Sequence, residues 1–229
     1  MQPDQFEDLQ VRADKLQAAL SRLQDANPGA SVITLFVMAN DELSIEVADK
    51  YFAEGWSFER AAWLCGSFAR MGWAYRQWVN AKVDDETFFR LLPELWRGSD
   101  PDDTDRAYLE MWARAHELNG YETVTDGDPL PKPDDDGYLT VYRGQEMVDD
   151  NVIIGWGEDH LPLGIAWSTS EAVAQKFANG AGVRASLSKP IVYKARVLVQ
   201  DVFAYLTGRN EHEVILNPEF LRSIDDEAQ

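Results

Sequence analysis

Apolar residues at Phe6, Leu9, Ala13, Leu16, Leu20 and Leu23 recur in alternating steps of three and four. That spacing draws one apolar stripe along an α-helix with a heptad-like seam, and Asn27-Pro28-Gly29 ends it. The seam is short, and its expected partner is another helix of the same chain. Val32–Ala39 is an apolar run that suits a strand or a buried helix, and periodicity does not separate the two. From Ser44 to Asn119 the pattern is mostly helical. Phe58, Ala61, Ala62, Cys65, Phe68, Ala69, Gly72, Tyr75 and Val79 form one broad apolar face. Thr87–Trp96 and Thr104–Leu118 follow as helices, with Asp100-Pro101-Asp102-Asp103 read as the turn and cap between them.

The period then changes. Gly120 to Gly137 is rich in Gly, Pro and Asp and reads as a loop or linker. Beyond it lie strand candidates at Tyr138–Arg143, Gly164–Ser168, Ile191–Val199, His212–Leu216 and Phe220–Ile224, with a short helix at Glu171–Asn179. The expectation is an α+β chain: a helical region over 1–120, a linker over 121–137 and a β-rich core over 138–229.

Composition narrows the chemistry. Of the eight tryptophans, six lie between Trp56 and Trp112, and aromatics at helical spacing are expected to build a core. The net charge of −19 is spread evenly, with 21 acidic against 12 basic residues in 1–120 and 19 against 9 in 121–229. Such a surface repels phosphate backbones and anionic lipids. A lone cysteine, Cys65, and three histidines point away from disulfides and zinc, and no metal is expected. The first residues lack a basic and apolar leader, and no apolar run is long enough to span a membrane. The reading is a soluble, cytoplasmic protein, compatible also with a leaderless delivery route.

Three pieces carry candidate chemistry. Val141-Tyr142-Arg143-Gly144 sets an arginine at a strand end. Trp167-Ser168-Thr169-Ser170 runs from a strand into a helix, and Ser168-Thr169-Ser170-Glu171 is also a capping-box pattern. Asn210-Glu211-His212-Glu213-Val214-Ile215-Leu216 sets two carboxylates one residue apart, side by side if both lie on a strand.

In this order and spacing the pieces resemble the arginine–serine–glutamate mono-ADP-ribosyltransferases, over roughly Tyr138 to Ile224. The resemblance implies an ADP-ribosyltransferase-like mixed β-sheet core. It implies transfer of ADP-ribose from NAD, as substrate, to a macromolecular acceptor with release of nicotinamide. Glu213 is then expected to stabilise the electron-poor ribose, as carboxylates do in glycosidases. Ser168 would orient Glu213, and Arg143 would pair with the NAD phosphates. Gly144 would let the backbone approach the nicotinamide amide, with Thr169 and Ser170 shaping the pocket. Phe177 is the nearest candidate to stack on nicotinamide, and Arg184 is a candidate phosphate contact. Glu211, two residues before Glu213, accompanies arginine acceptors in that family. Ala204–Asn210 is expected as the target-recognising loop, with Tyr205 packing against the target or the core.

Many relatives are toxins, phage proteins or defence effectors, so the helical half is expected to complete the pocket, bind the target or receive a neutralising partner. Two other readings stand beside this one: transfer to RNA or DNA, and a non-catalytic NAD-binding or helical interaction module.

Overall fold

A computed structural model describes residues 3–146, 163–180 and 190–228. The chain is mixed α and β, and it divides into two compact units, Met1–Pro101 and Asp102–Gln229. This differs from the boundary read between residues 120 and 138.

The first unit is helical: α1 (Pro3–Ala26), α2 (Val32–Ala53), α3 (Phe58–Ala62), α4 (Ser67–Val79) and α5 (Asp85–Arg97). The ambiguous run at Val32 is the start of α2. Ser31 caps it by accepting the Thr34 N–H, which supplies one of the partners a helix start lacks. Leu35 and Ala39 then close on Ala19 and Leu23 of α1, so the seam finds its partner within the chain. Asp84 caps α5 through the Thr87 N–H, and that bond holds its carboxyl below the ordinary range.

Of the tryptophan-rich stretch, Trp73, Trp96 and Trp112 are core, Trp56 and Trp78 are half-buried, and Trp63 is exposed. Trp73 stacks on Phe58 with ring centres 5.7 Å apart, and Trp78 stacks on Phe88 at 4.9 Å. Asp49 takes the Trp73 indole N–H and the Gln77 amide on its edge, giving the buried polar groups a partner. Cys65 is 2% exposed, and burial pushes its thiol up to about 12, so it is an inert packing residue.

The second unit opens with α6 (Arg106–Leu118), capped by Asp105 through the Ala107 N–H. The expected cap at Asp100–Asp103 is therefore displaced by two residues. Strands β1 (Val124–Thr125), β2 (Tyr138–Glu146), β3 (Ala166–Ser168), β4 (Pro190–Leu198), β5 (Val202–Leu206), β6 (Glu213–Leu216) and β7 (Arg222–Ala228) follow, with α7 (Glu171–Ala178) after β3. They form one sheet in the order β1-β5-β6-β3-β2-β4-β7. Only the β1–β5 pair among these is parallel. The supposed linker thus contains β1, which pairs with β5. The last strand starts at Arg222, because Pro218–Phe220 is a 3-10 turn.

Alternation sorts the sheet into two faces. Leu139, Val141, Trp167, Ala195, Val197, Tyr205, Val214 and Leu216 share one buried core. On the other face Tyr142 and Val192 meet Ala174 and Ala178 of α7. Gly144 permits this approach: a Cβ there would stand 1.7 Å from the Ala174 carbonyl oxygen. No helix among the described residues is long and apolar enough to cross a membrane.

Candidate active site

The strands that carry Arg143, Ser168 and Glu213 are neighbours in the sheet, in the order β6-β3-β2. Ser168 lies directly opposite Glu213 on β6 and Tyr142 on β2. Directly opposed residues share a face, so Ser168 and Glu213 project together. Arg143, one residue past Tyr142, leaves the opposite face.

Ser168 is 6% exposed. Its hydroxyl donates to the Glu211 carbonyl at 2.6 Å and accepts the Ser170 N–H at 3.0 Å. The expected role of orienting Glu213 is thus replaced by a bond to the Glu211 backbone. Thr169 N–H bonds to the His212 carbonyl at 3.0 Å, so both sides of the β3 end are tied to the Glu211–Glu213 segment. Ser170, not Ser168, is the residue that precedes α7, and its side chain makes no cap bond. The capping-box reading is therefore corrected to a local turn held by Ser168.

Glu211 and Glu213 are not consecutive outward residues of one strand. β6 begins at Glu213, and Asn210 and His212 both have left-handed φ values, 56° and 48°. Those turns are uncommon for residues with a side chain, and they twist Glu211 out of the strand alternation. The Glu211 carboxylate lies 3.2 Å from the Arg209 guanidinium. His212 Nδ1 is 3.1 Å from the Tyr205 hydroxyl.

Arg143 is committed elsewhere. Its Nη1 and Nη2 grip Asp103 at 2.6 and 3.0 Å. Nη1 also donates to the Ala166 carbonyl at 2.6 Å, and Nε to Gln145 at 2.7 Å. Those four bonds account for most of a guanidinium's donors. The expected pairing of Arg143 with NAD phosphates does not fit this arrangement. Asp103 was hidden in the sequence as one of several acidic turn residues, and nothing in its own surroundings marks it.

The remaining expected residues are scattered. Gly144 faces α7 rather than an open pocket, so its close approach is to helix backbone. Phe177 is half-buried on α7. Tyr205 is 3% exposed within β5, so the segment read as a target loop begins as a buried strand and Tyr205 belongs to the core. Arg184 lies outside the described residues. Among the described residues no cluster of three or more His, Cys, Asp or Glu could hold a metal.

At the end of the β3–β6 pair, then, Ser168 lies opposite Glu213 and holds the Glu211 backbone, while the Glu211 carboxylate pairs with Arg209. Such a set can stabilise an electron-poor carbon and accept a proton. Compared with descriptions of known families, with curated proteins and with solved structures, the chain matches none.

Proposed function

We propose that the sheet unit is a mono-ADP-ribosyltransferase that uses NAD and modifies a guanidinium of a protein acceptor. The observation that carries this reading is the register of three strands: Ser168 opposite Glu213 and beside the Arg143 strand, although the three residues are scattered over 70 positions of sequence (from residue 143 to 213). A second observation favours arginine as acceptor. Glu211 already has a guanidinium, that of Arg209, against its carboxylate.

In this reaction the bond between the ribose anomeric carbon and the nicotinamide nitrogen breaks. The electron pair leaves with nicotinamide, which becomes neutral. Glu213 stabilises the positive charge that grows on the ribose. An acceptor nitrogen forms the new bond to the anomeric carbon and gives up one proton, which Glu211 accepts and passes to water. Proton transfer of this sort contributes roughly 10²–10⁴-fold in rate. Ser168 holds the Glu211 backbone in place, and Arg143 acts from beneath β3 rather than on the phosphates.

The test is incubation of the protein with labelled NAD and a whole-cell lysate, alongside Glu213→Gln. Nicotinamide release and protease-sensitive label in the parent, reduced at least about 10²-fold in the variant, are expected. Label removed by nuclease instead would move the acceptor to nucleic acid. The occupation of Arg143 by Asp103 favours a second reading, an NAD-binding module without turnover. Thermal stabilisation by NAD with no nicotinamide release is the result that reading requires.

A further inference from the structure

We infer that Asp103 is a positioning residue of this site, acting through Arg143 and the first residues of β3. What the site catalyses rests on the transferase reading above; the clamp itself does not.

The carboxylate of Asp103 accepts three hydrogen bonds. Oδ2 takes Arg143 Nη1 at 2.6 Å and the Ala166 N–H at 3.0 Å, and Oδ1 takes Arg143 Nη2 at 3.0 Å. Its backbone carbonyl accepts the Ile165 N–H at 3.0 Å. Arg143 returns to the same place by donating to the Ala166 carbonyl. Ala166 is therefore gripped at both its N–H and its C=O by one ion pair. The pair is shielded, with side chains 14% and 19% exposed, so salt screens it little. Bidentate geometry fixes direction as well as distance.

Gly164 shows how closely the clamp is fitted. A Cβ at that position would stand 2.2 Å from Asp103 Oδ2 and 2.5 Å from Arg143 Nη2. The Gly164 carbonyl in turn accepts the Trp167 indole N–H at 3.0 Å. Asp103 has no part in capping α6, which Asp105 does.

β3 needs such support. It is three residues long and pairs along its length with β6, but on its other side, among the described residues, Tyr142–Ser168 alone pairs it with β2. The β2 side of the strand therefore has little ladder of its own, and that is the side Arg143 approaches from. Two residues after the clamped Ala166 comes Ser168, whose hydroxyl holds the Glu211 carbonyl. Position therefore passes from Asp103 through Arg143 and Ala166 to Ser168 and the two glutamates.

The experiment uses the full chain with Asp103→Asn, Asp103→Glu and Gly164→Ala, measuring nicotinamide release and amide exchange. Asp103→Asn is expected to lower kcat about 10- to 100-fold, the scale of a misplaced catalytic group. KM for NAD should stay within about threefold, since the clamp does not face the substrate. Gly164→Ala keeps both charges and should reproduce that loss. The double variant should lose less than the product of the two. Asp103→Glu should recover part of kcat. Exchange at Ala166 and Ser168 should quicken in Asp103→Asn whether or not the protein turns over.

A wild-type kcat in Asp103→Asn overturns the inference. So does a lower KM for NAD, which would mean that Arg143, once released, binds phosphate. Unchanged exchange at Ala166 and Ser168 overturns it too. No nicotinamide release by the parent protein ends the transferase reading alone, and the exchange measurement then decides the clamp.

Discussion

Both units withdraw an arginine from water, and they do so in different ways. In the helical unit Arg70 is 8% exposed. It donates to the Cys65 carbonyl at 3.0 Å and lies 4.2 Å over the ring of Trp63, while its Nε has no hydrogen-bond partner among the described residues. Gly98 lets the end of α5 close over this stack, because a Cβ there would meet the Trp63 ring at 2.3 Å. Burial lowers the Arg70 pKa. In the sheet unit Arg143 is less deeply buried but is held by a carboxylate in a two-point grip. The first arginine is a packing element, whose long stem and flat head fill space against an indole. The second sets geometry, since its partner also binds strand backbone.

Removing each arginine separates the two roles most strongly. Arg143→Ala leaves the Asp103 carboxylate shielded and without its cation. A loss of about 3–5 kcal/mol is expected for the sheet unit, read by denaturant-dependent exchange of the β2 and β3 amides. An unchanged profile would show that the pair adds no stability. Arg70→Met keeps the volume and removes the charge, so the helical unit should change by no more than about 1 kcal/mol. Exchange of the α4 amides measures it, and a loss as large as the first would erase the distinction.

The smallest effect comes from pH, through a third buried base. His116 ends α6 with its ring centre 5.3 Å from Phe203 and 5.8 Å from Tyr121. Burial lowers its pKa, opposed by a backbone hydrogen bond with Tyr121 and by the charge of Asp201. The folded ring therefore refuses a proton that the unfolded chain accepts. Its contribution to stability is complete above the ordinary value of 6.5 and declines as pH falls from there through the lowered folded value. Melting of the sheet unit at several pH values should show that slope, and His116→Phe should flatten it. Unlike Arg70, whose ordinary value is far higher, His116 can shed its charge within a mild pH range.

Much of the helical unit was legible because each element announces itself locally. The 3-4 spacing of Leu16, Leu20 and Leu23 draws α1, and the expected apolar face holds at Phe58, Ala61, Ala62 and Cys65. In α4 it does not: that helix buries Arg70, Met71, Trp73, Ala74 and Gln77 and leaves Phe68 and Val79 exposed, because its core side is set by the rings of Phe52 and Phe58 packed on Trp73. Val32–Ala39 was not legible, because a short apolar run serves either structure until the α1 seam arrives beside it. In the sheet unit the strands of Arg143 and Glu213 were found from apolar alternation. β1 escaped notice because two residues carry no period, and β5 because a stretch ending in Thr207-Gly208-Arg209-Asn210 looks like a loop throughout.

Local periods, the glycines and prolines that end them, and the residue types available for chemistry are all written in the order of the amino acids. Which of those residues meet depends on the folded chain. Asp103 and Arg143 are separated by 40 positions, and no local pattern joins them. Left-handed backbone at His212 removed Glu211 from its neighbour's strand. Sheet register set Ser168 against Glu213 and turned Arg143 to the other face. Local steric preference acts along the chain, whereas pairing of strands and burial of charge act across it.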